Sequence, residues 1–146
     1  MIIHGVPIFP TAFPNRIILG YSDEPIRRAM NVPTDRVFFE LLCHGSRPDV
    51  HGNTYAAPRV TAFGGEPMEI DAQKLFDIIV AQHEYRLGQP VRLLMCWVGY
   101  GPNSLAQQLS DLLGTVVLAA NERIHADTFE PVSGGVWLTF TPRSRY

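Results

Sequence analysis

Arg36-Val37-Phe38-Phe39-Glu40-Leu41-Leu42-Cys43, followed at once by His44-Gly45, is the stretch on which the fold turns. It is almost continuously apolar, rich in aromatic and branched residues, and has no period of two, the pattern of a strand covered on both faces. A second run of this kind, Val91-Arg92-Leu93-Leu94-Met95-Cys96-Trp97-Val98, closes on Gly99, and a third is Thr115-Val116-Val117-Leu118-Ala119-Ala120. Between these two, Ser104-Leu105-Ala106-Gln107 reads as a capping box. Leu105, Leu109, Leu112 and Leu113 draw an apolar stripe up to Gly114, the glycine expected just past a helix end. Strand, helix, strand with short links requires a parallel crossover.

Working outward, Asp71 caps a helix whose Leu75, Ile78 and Ile79 follow the i, i+3, i+4 rule toward Gly88. Upstream, Arg59 to Phe63 and Pro67 to Ile70 flank Gly64-Gly65 and read as a hairpin, with Pro67 restricting its second strand to an edge. Ser46 to Ala57 is a polar surface loop. Arg16 to Tyr21 is a first, shorter strand, and Ser22-Asp23-Glu24-Pro25 supplies the cap and first turn of a short helix that stops before Pro33. Pro7, Pro10 and Pro14 forbid helix in residues 1–15, which read as an extended arm lying on the domain. Near the end, Gly134-Gly135 splits Arg123 to Val132 from Val136 to Phe140 as a second hairpin. The expectation is one three-layer α/β domain over residues 16–146, with a mainly parallel central sheet and antiparallel edge hairpins.

Composition narrows the function. The chain has 146 residues, 46% hydrophobic and 18% charged, which suits one compact domain. Twelve Lys+Arg against fourteen Asp+Glu leave a net charge of −2, so no bulk positive charge draws it to nucleic acid or anionic lipid. Apolar runs reach about six residues, far short of the roughly 20 that span a bilayer, and the start lacks a signal-peptide layout. A soluble protein without a membrane span is expected. Cys43 and Cys96 are too few for a disulfide scaffold and have no zinc-ligand spacing, so they read as reduced thiols, and neither cofactor nor metal is expected. His44 and His51 with Asp49 or Cys96 match no established metal pattern. No GxSxG element, Walker lysine or GxGxxG is present.

Open parallel sheets carry their chemistry beyond the carboxyl ends of their strands. Two of the three strong strands end there in a reactive side chain, His44 and Cys96. Neighbouring strands lie about 4.8 Å apart, close enough for imidazole and thiol to face each other. A thiol with an ordinary pKa near 8.5 is only a few per cent ionised at neutral pH, and an imidazole can take its proton. His44 is thus the candidate base and Cys96 the candidate nucleophile. The backbone amides of Gly45 and Cys96 are candidate oxyanion donors. Arg47, Asp49 and Trp97, beside these groups, are candidates for selecting a substrate. Cys43 points to the face opposite His44 and reads as core. His83 and His125 read as surface residues. The alternative is a space-filling cysteine in a core strand, which would make the domain a protein-binding module.

The block Cys43-His44-Gly45-Ser46 at one strand end and Cys96-Trp97-Val98-Gly99 at another resembles the histidine and cysteine blocks of caspase-like (clan CD) cysteine peptidases. That group includes the self-processing domains of large bacterial toxins. From Leu93 to Pro142 the chain is also similar to terminal domains of bacterial polymorphic toxins of the Rhs type. The residues are Leu93-Leu94-x-Cys96-x-x-Gly99, Ala106-Gln107-Gln108-Leu109-x-x-x-Leu113-Gly114-x-x-Val117-x-Ala119, and Gly134-Gly135-x-Trp137-x-x-Phe140-x-Pro142. The resemblance covers roughly residues 36 to 142 and implies a caspase-like fold and a cysteine-dependent hydrolase, a peptidase acting as a toxin or effector. It further implies a protein or peptide substrate, an immunity protein as partner, and delivery from a bacterium into a target cell's cytoplasm within a larger secreted protein. Otherwise a cytoplasmic protein is expected. A thiol-dependent transferase or deamidase uses the same chemistry and stays open. Leu94 and Met95 stand where these peptidases commonly carry an acidic or Gln residue and a small one, so substrate preference does not carry over.

Overall fold

The computed structural model describes residues 1–47 and 56–143. Its centre is a seven-stranded mixed sheet in the order β1 (Ile2–Ile3), β2 (Val6–Pro10), β3 (Arg16–Leu19), β4 (Phe39–Leu42), β8 (Val91–Leu94), β9 (Val117–Ala120) and β10 (Trp137–Phe140). The four inner strands β3, β4, β8 and β9 are parallel, and the pairs at both edges are antiparallel. A separate three-stranded antiparallel sheet holds β5 (His44–Gly45), β6 (Pro58–Thr61) and β7 (Pro67–Glu69). The architecture is thus a mixed α/β fold on a largely parallel sheet.

Among the described residues, three helices cover the central sheet. α2 (Ala72–Val80) and α3 (Leu105–Leu113) pack on one face, where Leu75, Ile78, Ile79, Leu105 and Leu109 meet Leu41, Leu93, Val91 and Val117. α1 (Glu24–Ala29) lies on the other, where Ile26 and Ala29 meet Ile18, Leu42, Leu94 and Phe129. The nearly continuous apolar runs follow from this, since successive side chains of β4 and β8 point to the two opposite faces of the sheet, each of which is covered. One polar cluster interrupts the second face. Glu40 is fully buried between Arg16 Nε at 2.9 Å and Arg92 Nη1 at 3.3 Å, with the Thr34 hydroxyl donating at 2.6 Å.

The caps form where the side chains allow. Asp23, Asp71 and Ser104 each accept the amide three residues on, and Gly114 ends α3 at a φ of 68°. The reciprocal half of the capping box at Ser104 is missing, because the Gln107 amide donates instead to Asp111 and to the Thr141 carbonyl. α2 stops at Val80 rather than running on toward Gly88, and Gln82 folds back to the Ile78 carbonyl.

Four other expectations are corrected. Residues 1–15 are extended, as their prolines require, yet they are not an arm lying on the domain. Val6–Pro10 is a strand of the central sheet, with Pro10 opposite Ile17, and the Pro7 carbonyl accepts the Gly20 amide. Proline lacks a donor but keeps an acceptor, which suffices near a sheet edge. All three strong strands are shorter than their apolar runs, because β4 spans only Phe39–Leu42, β8 only Val91–Leu94 and β9 only Val117–Ala120. Arg123 to Val132 does not pair with Val136 to Phe140; β10 returns against β9 instead, and the intervening loop is closed by a bridge between Ile124 and Pro131. The hairpin around Gly64-Gly65 forms, with Pro67 on its outer strand, but as part of the small sheet rather than the central one. No helix among the described residues is long and apolar enough to cross a membrane.

Candidate active site

β4 and β8 are neighbours, with Leu41 opposite Leu93 and Leu42 opposite Leu94. Continued two residues, that register sets His44 against Cys96. Both chains leave the sheet at this point. After Cys43 the backbone peels away to pair with β6, His44 against Arg59 and Gly45 against Pro58. After Leu94 the other chain turns through Met95 and Cys96 to Trp97, which sits at a φ of 64°. The divergence opens the space in which a side chain from each strand end faces the same cavity.

Gly45 sets how closely the two ends approach. A Cβ on Gly45 would lie 1.9 Å from the Cys96 carbonyl oxygen, 2.8 Å from its carbon and 3.0 Å from its nitrogen. Any residue but glycine here pushes the cysteine backbone away. In the β5–β6 ladder the Ser46 amide donates to Ala57 at 2.8 Å, so the alternation of an antiparallel pair leaves the Gly45 amide outside that ladder.

His44 is about half exposed, and its Nε2 lies 2.7 Å from Asp23 Oδ2. The other Asp23 oxygen accepts the Ile26 amide at 3.2 Å as the cap of α1. One carboxylate therefore starts a helix and holds an imidazole. Burial pulls the Asp23 carboxyl upward, but the His44 hydrogen bond, the Ile26 amide and the imidazole charge outweigh it, keeping the group below the ordinary carboxylate range. With Nε2 committed to Asp23, Nδ1 is the ring nitrogen left as a base.

The two thiols differ. Cys43 is buried in the core on the α2/α3 side, and its sulfur donates to the His44 carbonyl at 3.2 Å. Burial, and secondarily the nearby Cys96, push its thiol far above the usual range. Cys96 is half-buried. Burial raises its thiol, Glu122 adds to the rise, and the Ile124 amide and the Arg123 charge oppose it; the net direction is up. Unaided, such a thiol is less ionised than a free one, which increases its need for a base.

Cys96 and His44 line one small cavity of about 70 Å³, with apolar walls from α1, β4, β8 and the loop at Ile124 to Phe129. A larger cavity of about 440 Å³ lies across His44 and is lined by Tyr21, Ser22, Asp23, Arg59 and Thr61. Arg47 and Trp97 are brought together, the guanidinium 5.9 Å from the ring centroid. They edge a third cavity with Glu122 and Arg123. Trp97 is fixed by Glu122, which accepts its indole N–H at 2.9 Å and, through its carbonyl, the backbone amide at 3.2 Å. Asp49 lies outside the described residues, as does His51. Among the described residues no group of three His, Cys, Asp or Glu side chains is placed to hold a metal ion.

Sequence reasoning missed Asp23 as the partner of His44, reading it only as a cap. The carboxyl-end rule applied to β3, which borders β4, points to it. It also missed Glu122, Ile124 and His125, which a loop without periodicity brings back over the cysteine; the exposed His125 lines the small cavity. Residues 10–136 match the family described as a domain of unknown function, DUF8616, and the chain belongs to that family. No curated protein and no solved structure matches the chain.

Proposed function

We propose that this domain is a cysteine-dependent hydrolase of caspase-like type that cleaves a peptide or related amide bond, with Cys96 as nucleophile and His44 as general base. The observation that carries the reading is the approach of Gly45 to the Cys96 backbone, which brings the two strand ends against one cavity. Asp23 holds and orients the imidazole through Nε2, leaving Nδ1 to take the thiol proton. The thiolate attacks the substrate carbonyl carbon, and the oxyanion is received by the amides of Gly45 and Cys96. Collapse breaks the carbon–nitrogen bond, and the imidazolium returns its proton to the leaving amine. Water, deprotonated by His44, then attacks the thioester, releasing the acid and restoring the thiol.

In the polymorphic-toxin setting that the sequence suggests, the domain acts as a toxin or effector delivered within a larger secreted protein and neutralised by an immunity protein. The test replaces Cys96→Ala and His44→Ala separately, and measures toxicity in cells and labelling of the purified protein by a thiol-reactive probe. Loss of both with either variant supports the mechanism, and undiminished toxicity in both rejects it. The upward displacement of the Cys96 thiol favours one second reading, a binding module with an inert cysteine. That reading requires native Cys96 to stay unlabelled. Mass analysis of the products separates hydrolysis from acyl transfer or deamidation.

A further inference from the structure

The two cavities flanking His44 differ in size and chemistry, and the difference bears on the substrate. The cavity that reaches Cys96 is the smaller, about 70 Å³. Its walls are hydrocarbon: Ile26 and Ala29 of α1, Leu42 and Leu94 at the strand ends, and Ala126 and Phe129 from the loop after β9. The polar side chains at its edge are His44, Cys96 and His125, and His44 is already engaged by Asp23. Arg59, Arg47 and Arg123 line the other two cavities and not this one. We propose that this cavity receives one aliphatic side chain of valine or leucine size, carried by the residue whose carbonyl Cys96 attacks. The proposal rests on the hydrolase reading and deepens it by naming the substrate class.

Size and charge both select. An apolar cavity of about 150 Å³ takes one benzene, so about half that volume holds three or four carbons and excludes an aromatic ring without displacement of the walls. A carboxylate placed here leaves water to meet no Arg or Lys, and a guanidinium to meet no carboxylate, at a cost that an aliphatic chain does not meet. Each methylene gained or lost in such a pocket changes rates by roughly 10-fold or more. The 440 Å³ cavity shares Ile26, Cys43 and His44 with the small one and presents Tyr21, Ser22, Thr61 and Arg59. It has room for the polymer beyond the scissile bond, which suits an extended chain rather than a free amino acid amide.

Peptidyl acyloxymethyl ketones that differ only in the residue next to the reactive ketone, Ala, Val, Leu, Phe, Asp or Arg, test this on the full chain. Covalent labelling of Cys96 is followed by intact mass. The Val and Leu probes are expected to label at least 10-fold faster than Phe, Asp or Arg. Ala126→Leu, which adds bulk to a partly exposed wall, and the milder Ala126→Val are expected to lower the ratio of Leu-probe to Ala-probe rates, by about 10-fold for the larger substitution. A Phe, Asp or Arg probe that labels fastest, or an unchanged ratio in both variants, overturns the pocket. Iodoacetamide separates that failure from failure of the mechanism. Alkylation of Cys96 that slows in His44→Ala upholds the dyad even if the pocket falls, whereas alkylation indifferent to His44→Ala overturns the dyad and the pocket together.

Discussion

Replacing Gly45 by alanine separates two opposite physical effects. Gly45 is not among the glycines at positive φ, so alanine meets no backbone strain there. On conformational entropy alone, such a change stabilises by about 0.4–1 kcal/mol, because the unfolded chain loses freedom. Against this, the new Cβ falls 1.9 Å from the Cys96 carbonyl oxygen, where contacts under 3.0 Å essentially never occur. The two strand ends must then part by roughly 1 Å, and overpacking of that kind costs about 1–3 kcal/mol. The net expectation is a loss of about 1–2 kcal/mol, which for a domain of this size lowers Tm by about 3–8 °C. A 1 Å displacement between the Gly45 amide and the thiol should also slow the reaction by about 100-fold. Thermal melts followed by circular dichroism read the first quantity, and the His44-dependent rate of Cys96 alkylation or substrate cleavage the second. A Gly45→Ala protein that melts at or above the wild-type temperature and keeps its rate would refute the close approach, and with it the oxyanion geometry.

The other expectations concern the groups around this contact and the buried charges. Asp23→Asn keeps a good helix cap, so Tm should change by no more than a few degrees. The rate should fall about 10- to 1,000-fold because the carboxylate that orients and balances the imidazole is gone; a rate within threefold of wild type assigns Asp23 to capping alone. Under native conditions iodoacetamide should modify Cys96 and spare the buried Cys43, read by peptide mass, whereas equal modification would contradict their different burial. Glu40→Gln strips the charge that Arg16 and Arg92 share and should cost about 3–5 kcal/mol, seen as a fall of roughly 1 M or more in the urea midpoint. Asp111 is held below its ordinary value of 3.8, chiefly by hydrogen bonding from Arg143, whose Nε lies 2.8 Å away. Its contribution is therefore complete above about pH 5, begins to fall as pH approaches the unfolded value, and is lost as pH falls through the lower folded value. The urea midpoint should drop between pH 5 and pH 3, less so in Asp111→Asn and in high salt, since the pair is partly solvent-exposed.

Much of the architecture was legible because burial on two faces leaves a mark in one dimension. The runs at Phe39 to Leu42 and Val91 to Leu94 are almost continuously apolar, broken at the paired Glu40 and Arg92, because both strands send side chains into a core on each face of the sheet, and Val117 to Ala120 continues the pattern beside them. The caps at Asp71 and Ser104 and the glycine at 114 were readable for the same local reason, since each satisfies backbone groups within a few residues of itself. The edges were misread where the pairing is long-range. Pro7 and Pro10 exclude a helix but say nothing about which strand will accept them, and Gly134-Gly135 permits a hairpin without selecting the partner that β9 supplies.

The same division runs through the candidate site. Sequence by itself determined that a histidine and a cysteine stand at the carboxyl ends of two buried strands, that Cys43 alternates to the other side, and that a glycine follows the histidine. These are consequences of strand period and of residue type. Only tertiary structure decided that the two strands are adjacent, that Gly45 presses on the Cys96 backbone, that Asp23 crosses from the end of β3 to hold His44, and that Glu122 and Ile124 return from beyond β9 to secure Trp97 and contact the thiol. Adjacency in a sheet depends on the relative stability of alternative strand orders, a property of the whole packed chain. A hydrogen bond between residues 21 positions apart leaves no periodic trace in the order of the amino acids.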